Sequence, residues 1–304
     1  MTYSVLLPVR EGAATLPALL AALRAQKAAA PLEILSADSG SRDGSPEILR
    51  RAGARVIEIS PADFSHGGTR NLLASQSRGE FLFLLSQDAV PEGEDYLEAL
   101  LRPLRENPAV AGAFARQIPR PRAGALERLR WRRSPAGAAE ARLVRIESPR
   151  AFHGLPPAAR RGACEFHSAA CVIRRAVWEK IPFPDVPIGE DVAWARLVLL
   201  AGHALAFEPK ARVRHSHHRP LAEEYARIRR EAALEWNLFS YAPVRSPAGA
   251  LAKGLAWGAA DAAAILLGGA GGGGRLAGAG RALAFGWARA LALRSGYRAA
   301  LAGR

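Results

Sequence analysis

Apolar and polar positions alternate along the first part of the chain in blocks that predict alternating strands and helices. Short apolar runs at residues 4–8, 32–37 and 55–59 are typical of strands. Between the first two runs leucines recur at the spacing of one helical face, and residues 46–52 predict a second helix. This order of elements predicts a parallel sheet with right-handed crossovers.

Five apolar residues follow one another at residues 81–85. Such a run is typical of a strand that is covered on both faces. A short polar cluster containing Asp88 comes next, and Pro91 ends the segment. Ligands of open α/β sheets bind at the carboxyl ends of strands. We therefore expect Asp88 to lie at the centre of a ligand site, where it holds a metal and, through it, a phosphate.

Three acids, Glu11, Asp38 and Asp88, each follow a predicted strand. Carboxylates accept hydrogen bonds from a base or ribose and bind divalent cations, so these acids predict a nucleotide site. The turn DSGSRDGS at residues 38–45 is neither a GxGxxG motif nor a P-loop, which argues against an ordinary dinucleotide site or a Walker site. For that turn alone, a loop that caps a helix is the alternative.

The segment FSHGGTRN, residues 64–71, precedes a predicted helix that extends to residue 78. Gly67 and Gly68 permit a close backbone approach. A helix N-terminus with Arg70 beside it is suited to bind an anion. A glycine turn with a capped helix is the alternative, but it does not require His, Arg and Asn together.

Two later clusters carry further candidate chemistry, and a strand that contains HSAAC is predicted before them at residues 166–173. Gly189, Glu190 and Asp191 precede a predicted helix, where acids are also favoured by the helix dipole alone. A strand predicted at residues 209–213 leads into RHSHHRP, in which positions 215 and 217 share one face of an extended segment. Because three histidines cluster at a strand end, we predict a metal role for them.

The basic segment at residues 115–150 contains many arginines and a single aromatic residue, Trp131. Three interpretations stay open: a mobile segment on the acceptor side, a surface for anionic lipid phosphates, and a solvated loop. Nucleic-acid binding is not expected, because stacking on bases requires more aromatic side chains.

The C-terminal part is rich in Ala, Gly, Leu and Arg. Helices are predicted at residues 221–241, 251–267 and 276–301. A membrane span is disfavoured because Lys253 and Asp261 interrupt the second helix. Apolar and Arg-rich helices together favour a pair that lies on a membrane surface. A helical appendage packed on the core or in a dimer interface is the alternative, and the oligomeric state stays open.

Composition narrows the class of protein. An apolar content of 49% excludes wholesale disorder. The 42 Lys and Arg against 28 Asp and Glu give a formal charge of +14, which favours an anionic partner or a solvated basic surface. Two cysteines form no disulfide framework. The N-terminus lacks the basic region of a signal peptide, so a cytosolic start is expected.

Four motifs in order, LLPVRE, ADSGSRDGS, HGGTRN and LLSQDA, carry a family resemblance. The series resembles the family 2 glycosyltransferases of GT-A fold, and looks most like their bacterial rhamnosyltransferase-like branch. The resemblance covers roughly residues 3–220. It implies an α/β fold of GT-A type, with a Rossmann-like, mostly parallel sheet flanked by helices and a C-terminal helical appendage. The implied domains are a catalytic domain at 1–220, with a nucleotide-binding half at 1–115 and an acceptor half at 116–220, and a helical region at 221–304 that contacts a membrane.

The resemblance also assigns roles to individual residues. The residues implied to contact the nucleotide sugar are Pro8, Val9, Glu11, Asp38, His66, Arg70, Asn71, Ser86, Gln87 and Asp88. Asp88 falls on the last Asp of the family's DxD motif, the metal ligand, whereas Ser86 replaces the first Asp and leaves one fewer negative charge. A histidine after the 209–213 strand would complete the metal shell, with His215 ranked before His217. The family's ED motif assigns Asp191 as the catalytic base, assisted by Glu190.

The function expected from these features is an inverting, metal-dependent hexosyltransferase. It would move a sugar, rhamnose on the resemblance, from a nucleotide-diphosphate donor to a polysaccharide or lipid-linked glycan acceptor, with Mg or Mn as cofactor. Its expected location is the cytoplasm, at the inner face of the plasma membrane, with peripheral membrane contact. The alternatives are a sugar nucleotidyltransferase and a non-catalytic basic protein that binds membrane or nucleic acid.

Overall fold

The computed structural model describes residues 2–216, 219–268 and 274–303. The chain forms two compact units. The first, here the sheet unit, comprises Met1–Ile118, Pro135–Gly154 and Ala163–His215. The second, here the helical unit, comprises Pro119–Ser134, Leu155–Gly162 and Ser216–Arg304. Three stretches of the predicted acceptor half thus belong to the helical unit. The functional division into nucleotide and acceptor halves stays a prediction.

The elements follow the predicted alternation. Up to residue 118 they are β1 (Tyr3–Val9), α1 (Leu16–Arg24), β2 (Leu32–Asp38), α2 (Ser45–Arg51), β3 (Arg55–Glu58), α3 (His66–Gln76), β4 (Phe81–Leu85), β5 (Val90–Glu92), α4 (Tyr96–Glu106) and β6 (Val110–Ile118). The later elements are α5 (Ala125–Arg133), β7 (Arg142–Arg145), α6 (Pro149–Gly154), α7 (Pro157–Ala163), β8 (Ala170–Arg174), α8 (Arg175–Trp178), α9 (Glu190–Leu200), β9 (Ala204–Arg214), α10 (Leu221–Phe239), α11 (Pro247–Leu267) and α12 (Gly274–Ala302).

The strands of the described residues form one mixed sheet of nine strands, in which β4 lies between β1 and β8. Strands β3, β2, β1 and β4 pair with one another in this order as parallel strands, as predicted, and β6 pairs with β9 in parallel. The pairs β4–β8, β6–β8, β5–β9 and β7–β9 are antiparallel. The α/β class is therefore confirmed, whereas the expectation of a mostly parallel sheet holds for β3, β2, β1 and β4, since four of the eight strand pairs in the described residues are antiparallel.

Burial explains the element pattern of the sheet unit. All five residues of β4 are buried, as expected for a strand covered on both faces. The leucines of α1 that share one helical face are all buried against the sheet core: Leu16, Leu19, Leu20 and Leu23. Strand β8 begins at Ala170 instead of the predicted 166, because Ser168 turns away from the sheet to bind the acids that open α9.

Close packing of small residues organises the helical unit. A Cβ atom added at Gly286 of α12 would lie 2.5 Å from the backbone N of Gly258 and 2.6 Å from the carbonyl O of Gly254, both in α11. Only glycine permits this approach. The arginine-rich residues 125–133 form α5 instead of a loop, and Leu126 and Leu129 enter the core of this unit.

Helix α11 is, among the described residues, the one helix long and apolar enough to cross a membrane. Its 21 residues have a mean hydropathy of 1.4 over their most apolar window. Core helices of soluble proteins also meet these two criteria of length and composition.

Candidate active site

Asp38 ends β2 at the carboxyl edge of the parallel strands. Its Oδ1 accepts hydrogen bonds from the backbone N–H groups of Gly40, at 3.1 Å, and Ser41, at 2.9 Å. The side chain is buried, and within the described residues Oδ2 has no hydrogen-bond partner. A buried polar atom without a partner is costly. The carboxylate therefore offers an acceptor that a bound ligand would satisfy.

Glu11 connects the ends of β1 and β2. Its backbone N–H donates to Ser41 Oγ at 2.8 Å, and its Oε1 accepts from the backbone N–H of Arg42 at 3.1 Å. Its φ of 49° lies in the left-handed region that is unusual for residues other than glycine. The structure thus brings Glu11 to Asp38, as predicted, with Pro8 and Val9 preceding it in β1. The Val9 side chain is buried in the core.

Gln87 ties the segment after β4 to the segment after β1. Its Oε1 accepts from the backbone N–H of Arg10 and its Nε2 donates to the Arg10 carbonyl, both at 2.8 Å. Both ends of the amide are used inside the protein. The geometry therefore gives Gln87 a positioning role, and its ribose contact stays a prediction. Ser86 is half-buried beside it, and its backbone N–H donates to the carbonyl of Ala169 at 2.9 Å.

Asp88 and His215 face each other across the paired strands β5 and β9. Val90 pairs with Arg214, which places the residues that flank these strands side by side. The distance from His215 Nε2 to Asp88 Oδ1 is 3.4 Å, and both side chains are largely buried. The structure thus brings together the two residues that the sequence predicts as metal ligands. His217, the third predicted ligand, lies outside the described residues.

The donor set around His215 fits a divalent cation. Its Nδ1 lies 2.7 Å from Gln117 Oε1, an oxygen that only accepts hydrogen bonds. Nδ1 therefore carries a proton, and Nε2 is the ring nitrogen that faces the Asp88 carboxylate. No group of three His, Cys, Asp or Glu side chains in the described part of the chain could hold a metal ion. Two protein ligands leave the other positions to phosphate oxygens and water, an arrangement usual for Mg²⁺.

Asp191 lies in the first turn of α9, as the sequence predicts. Its Oδ2 accepts from the Ser168 backbone N–H at 3.0 Å, and its Oδ1 accepts from the Val192 backbone N–H at 2.8 Å. Burial raises the pKa of Asp191 above its ordinary value, and the charge of Glu190 raises it further. The charge of His167 and the two backbone N–H groups act in the opposite direction. The raised pKa of Asp191 suits a carboxylate that takes up a proton.

Glu190 is held in a buried ion pair. Its Oε1 lies 3.0 Å from Arg70 Nη1, and both side chains are 6% exposed. The same oxygen accepts from Ser168 Oγ at 2.8 Å, and Arg70 also donates to the carbonyl of His66. Glu190 thus positions α9 against α3, and its predicted assistance to the base acts through its charge on Asp191. Arg70, for which the sequence predicts a nucleotide contact, thus pairs with Glu190 inside the protein.

Asn71 is likewise engaged inside the fold. Its Oδ1 accepts from Trp178 Nε1 at 2.9 Å and from the Phe183 backbone N–H at 3.0 Å, while its Nδ2 donates to the Phe183 carbonyl at 2.8 Å. The structure gives Asn71 a positioning role for the segment before α9, and its nucleotide contact stays a prediction. His66 is exposed at the start of α3, and its nucleotide role also stays a prediction.

Two residues that sequence reasoning missed connect these parts. Ser168 binds both acids of α9, and the adjacent Ala169 binds Ser86, so two consecutive residues join the start of α9 to the segment that carries Asp88. Gln117 fixes the ring of His215. Ser168 stands within the HSAAC stretch that the sequence assigned to a strand. No local sequence pattern in β6 points to Gln117, because its partner, His215, is 98 positions away.

Residues 4–179, more than half of the chain, match the family model described as "Glycosyl transferase family 2". The chain belongs to this family. The family assignment confirms the resemblance of the four motifs and the prediction of a glycosyltransferase.

Two curated relatives are O-antigen chain rhamnosyltransferases. WbaN of Salmonella anatum is 31% identical over 200 residues, which cover 65% of this chain and 60% of that protein. RfbN of Salmonella typhimurium strain LT2 is 27% identical over 233 residues, which cover 75% of this chain and 70% of that protein. The match thus spans less than two thirds of WbaN's length. The predicted likeness to a rhamnosyltransferase branch is confirmed.

Solved structures of similar fold are glycosyltransferases. The mannosyltransferase PcManGT from Pyrobaculum calidifontis, in complex with GDP-Man and Mn²⁺, has a TM-score of 0.61 at 18% identity and covers 99% of this chain and 87% of that chain. Glucosyl-3-phosphoglycerate synthase from Mycobacterium tuberculosis, in complex with Mn²⁺, UDP and its product, has a TM-score of 0.56 at 18% identity and covers 81% and 83%. At this identity the likeness establishes the fold, and the predicted GT-A fold is confirmed.

Proposed function

We propose that this protein is an inverting glycosyltransferase that moves rhamnose from a nucleotide-diphosphate donor, dTDP-rhamnose, to an O-antigen-type polysaccharide or a lipid-linked glycan. The observation that carries the proposal is Asp191, a carboxylate of raised pKa that two backbone N–H groups orient at the start of α9. The family match and the two rhamnosyltransferase relatives support the sugar and the acceptor class.

The donor's nucleoside binds at the ends of β1 and β2. Asp38 Oδ2, which is buried and has no partner in the described residues, accepts a hydrogen bond from the base or ribose. Glu11, next to it, is exposed and available to a second polar group of the nucleoside. Gln87 holds this rim to the segment that carries Asp88, so the nucleoside and the diphosphate are bound at a fixed separation.

Asp88 and His215 would hold the divalent cation, Mg²⁺ or Mn²⁺. The carboxylate oxygen and the Nε2 lone pair face one another, and Gln117 keeps the proton on the other ring nitrogen. When bound, such a cation supplies positive charge that offsets the charge of the departing diphosphate. The replacement of the DxD motif's first acid by Ser86 leaves His215 as the second protein ligand.

In the reaction, Asp191 accepts the proton of the acceptor hydroxyl. The hydroxyl oxygen forms a bond to the anomeric carbon while the bond from that carbon to the diphosphate oxygen breaks. The electron pair of that bond leaves with the nucleoside diphosphate, and one displacement inverts the anomeric configuration. General-base help of this kind contributes about 10²–10⁴-fold in rate. The Arg70–Glu190 pair fixes α9, and with it the direction of the Asp191 carboxylate.

The proposed location is the cytoplasm, at the inner face of the plasma membrane, where a lipid-linked acceptor is available. The formal charge of +14 favours contact with an anionic surface. The Arg-rich, apolar helices of the helical unit supply this peripheral contact.

A panel of nucleotide-diphosphate sugars, offered to the purified protein with and without Mn²⁺, tests the proposal. We expect dTDP-rhamnose to raise the melting temperature, and transfer to release nucleoside diphosphate in a Mn²⁺-dependent reaction. Release of pyrophosphate from a nucleoside triphosphate and a sugar phosphate would indicate a nucleotidyltransferase instead. If no nucleotide sugar stabilised the protein or turned over, the proposal would be wrong.

A further inference from the structure

The exposed large apolar side chains of this protein are concentrated on two helices. Ten such side chains are exposed in the described residues, and eight of them are leucines of α11 and α12. We call these eight the leucine face: Leu251, Leu255, Leu266, Leu267, Leu276, Leu283, Leu291 and Leu301. Exposed apolar patches of this kind mark surfaces that bind a partner or a membrane.

Helix α11 has one face for its neighbour and another for its surroundings. The residues that pack inside the unit are small and recur every four positions: Ala250, Gly254, Gly258 and Ala262. The other side carries the exposed leucines together with exposed alanines: Ala252, Ala256, Ala259, Ala260 and Ala263. Lys253 is the one exposed charged residue in the described part of this helix. A continuous apolar strip of this length is unusual for a helix that faces water.

Helix α12 also exposes leucines on one side and buries the opposite side. Leu276, Leu283 and Leu291 are separated by seven and eight residues, which places them on one side of the helix. They are 79%, 42% and 47% exposed. The opposite side is buried against the other helices through small and aromatic residues, including Gly286 and Phe285.

Charge selects the kind of partner. Between residues 247 and 303 the sequence has one acid, Asp261, against the basic residues Lys253, Arg275, Arg281, Arg289, Arg294 and Arg298. Asp261 forms an ion pair with Arg133. Two copies of this surface would bring like charges together, which opposes self-association. An anionic lipid surface complements both the leucines and the basic residues.

We propose that the leucine face is an in-plane docking surface for an anionic phospholipid bilayer. The leucines enter the boundary between headgroups and acyl chains, while Lys253 and Arg298, which are exposed, contact the lipid phosphates. Helix α11 lies along the surface instead of crossing it, because its glycine side is packed on α12. This inference rests on the proposed function, since a lipid-linked acceptor requires the enzyme to work at a membrane.

Vesicle flotation of the full-length protein tests the inference. The probes are vesicles of phosphatidylcholine mixed with phosphatidylglycerol and vesicles of phosphatidylcholine alone. Wild type is expected to float with the anionic vesicles, and far less with the neutral ones. The double variant Leu255→Glu with Leu267→Glu is expected to lower the partition coefficient roughly 100-fold, since each leucine is worth about tenfold. The matched control is Leu143→Glu, because Leu143 of the sheet unit is 57% exposed, as is Leu255; this control is expected to float like wild type.

Three results would overturn the inference. These are unchanged flotation of the double variant, equal flotation with both kinds of vesicle, and a wild-type dimer that the double variant converts to a monomer in analytical ultracentrifugation. Circular dichroism and the melting temperature confirm that each variant is folded. Donor-dependent release of nucleoside diphosphate, measured without vesicles, is expected to be the same in the double variant and wild type. Loss of flotation with retained release separates this inference from a failure of the proposed function.

Discussion

At the scale of single residues, the chemistry of the site depends on the Asp191 carboxylate, which lies where its ionised form is unfavourable. Burial and the adjacent Glu190 both raise the pKa of Asp191, whereas two backbone N–H groups and His167 limit the rise. The raised pKa makes the Asp191 carboxylate a stronger base than an exposed aspartate. A helix start alone would lower the pKa, so the neighbouring acid and the burial decide the direction.

The stability of wild type relative to Asp191→Asn is expected to increase as the pH falls. The folded pKa of Asp191 lies above its unfolded value, so the ionised group destabilises the fold above the folded pKa, and this cost disappears as pH falls through it. The difference in unfolding free energy between wild type and variant should therefore shift in favour of wild type between neutral pH and about pH 4. Urea unfolding as a function of pH measures this. A difference that does not change with pH would contradict the assigned electrostatics.

Gln117→Leu is expected to weaken Mn²⁺ binding about 10–100-fold. The substitution removes the acceptor that fixes the proton on His215 Nδ1, at 2.7 Å in the structure, and leaves the buried volume nearly unchanged. Titration with Mn²⁺, followed by electron paramagnetic resonance of the free ion, reads the affinity without any turnover. Equal affinity in wild type and variant would exclude the positioning role of Gln117.

The acids of the site could be predicted from the sequence, but their partners could not. Asp38, Asp88 and Asp191 stand at recognisable places, after strands or at a helix start. Arg70 and Asn71 stand in an equally recognisable motif, yet the structure uses them to hold the start of α9 and the segment before it. Polar side chains next to a site serve the ligand or the scaffold, and only the position of distant residues such as Phe183 decides between these roles.

At the scale of elements, the contact between α3 and α9 sets the position of Asp191, the proposed base. Gly67 lies so close to the segment before α9 that an added Cβ would be 2.5 Å from the Pro184 carbonyl oxygen. One turn of α3 thus supplies both a glycine for close approach and an arginine for Glu190. The glycines of HGGTRN were correctly predicted to allow a close approach, whereas the approaching segment, more than 100 residues away, was not predictable.

Arg70→Met is expected to destabilise the protein by about 3–5 kcal/mol, because it leaves the buried Glu190 carboxylate without its ion-pair partner. The matched control is Arg50→Met. The side chain of Arg50 is 48% exposed and pairs with exposed acids, so its loss should cost less than about 1 kcal/mol. Chemical denaturation of both variants measures the difference. Similar costs for the two variants would mean that the buried pair has no special role.

Gly286→Ala and Gly280→Ala should change stability in opposite directions. An added Cβ at residue 286 would collide with the backbone of α11, so we expect a loss of at least about 1 kcal/mol. An added Cβ at residue 280 of the same helix would meet no neighbouring atom within 4 Å. Alanine there should therefore raise the free energy of unfolding by about 0.5–1 kcal/mol, because its helix propensity exceeds that of glycine. Thermal unfolding compares the two variants. A stabilising alanine at residue 286 would contradict the close packing of α11 and α12.

At the scale of the whole molecule, periodicity predicted the alternating elements, the class and the helical region near the C-terminus. It did not predict the antiparallel strands β5 and β8, because strand direction depends on which distant strand pairs with each run. Nor did it predict that α5 belongs to the helical unit, since its arginines suggested a loop while Leu126 and Leu129 provide its buried side.

The central claim is that Asp191 takes the acceptor's proton in a sugar transfer. The most direct test is the transfer rate from dTDP-rhamnose for wild type, Asp191→Asn and the control Asp95→Asn, an exposed acid at the start of α4. We predict that Asp191→Asn lowers the rate by at least about 100-fold with unchanged donor binding, whereas the control keeps the wild-type rate. Full transfer activity in Asp191→Asn would contradict the account.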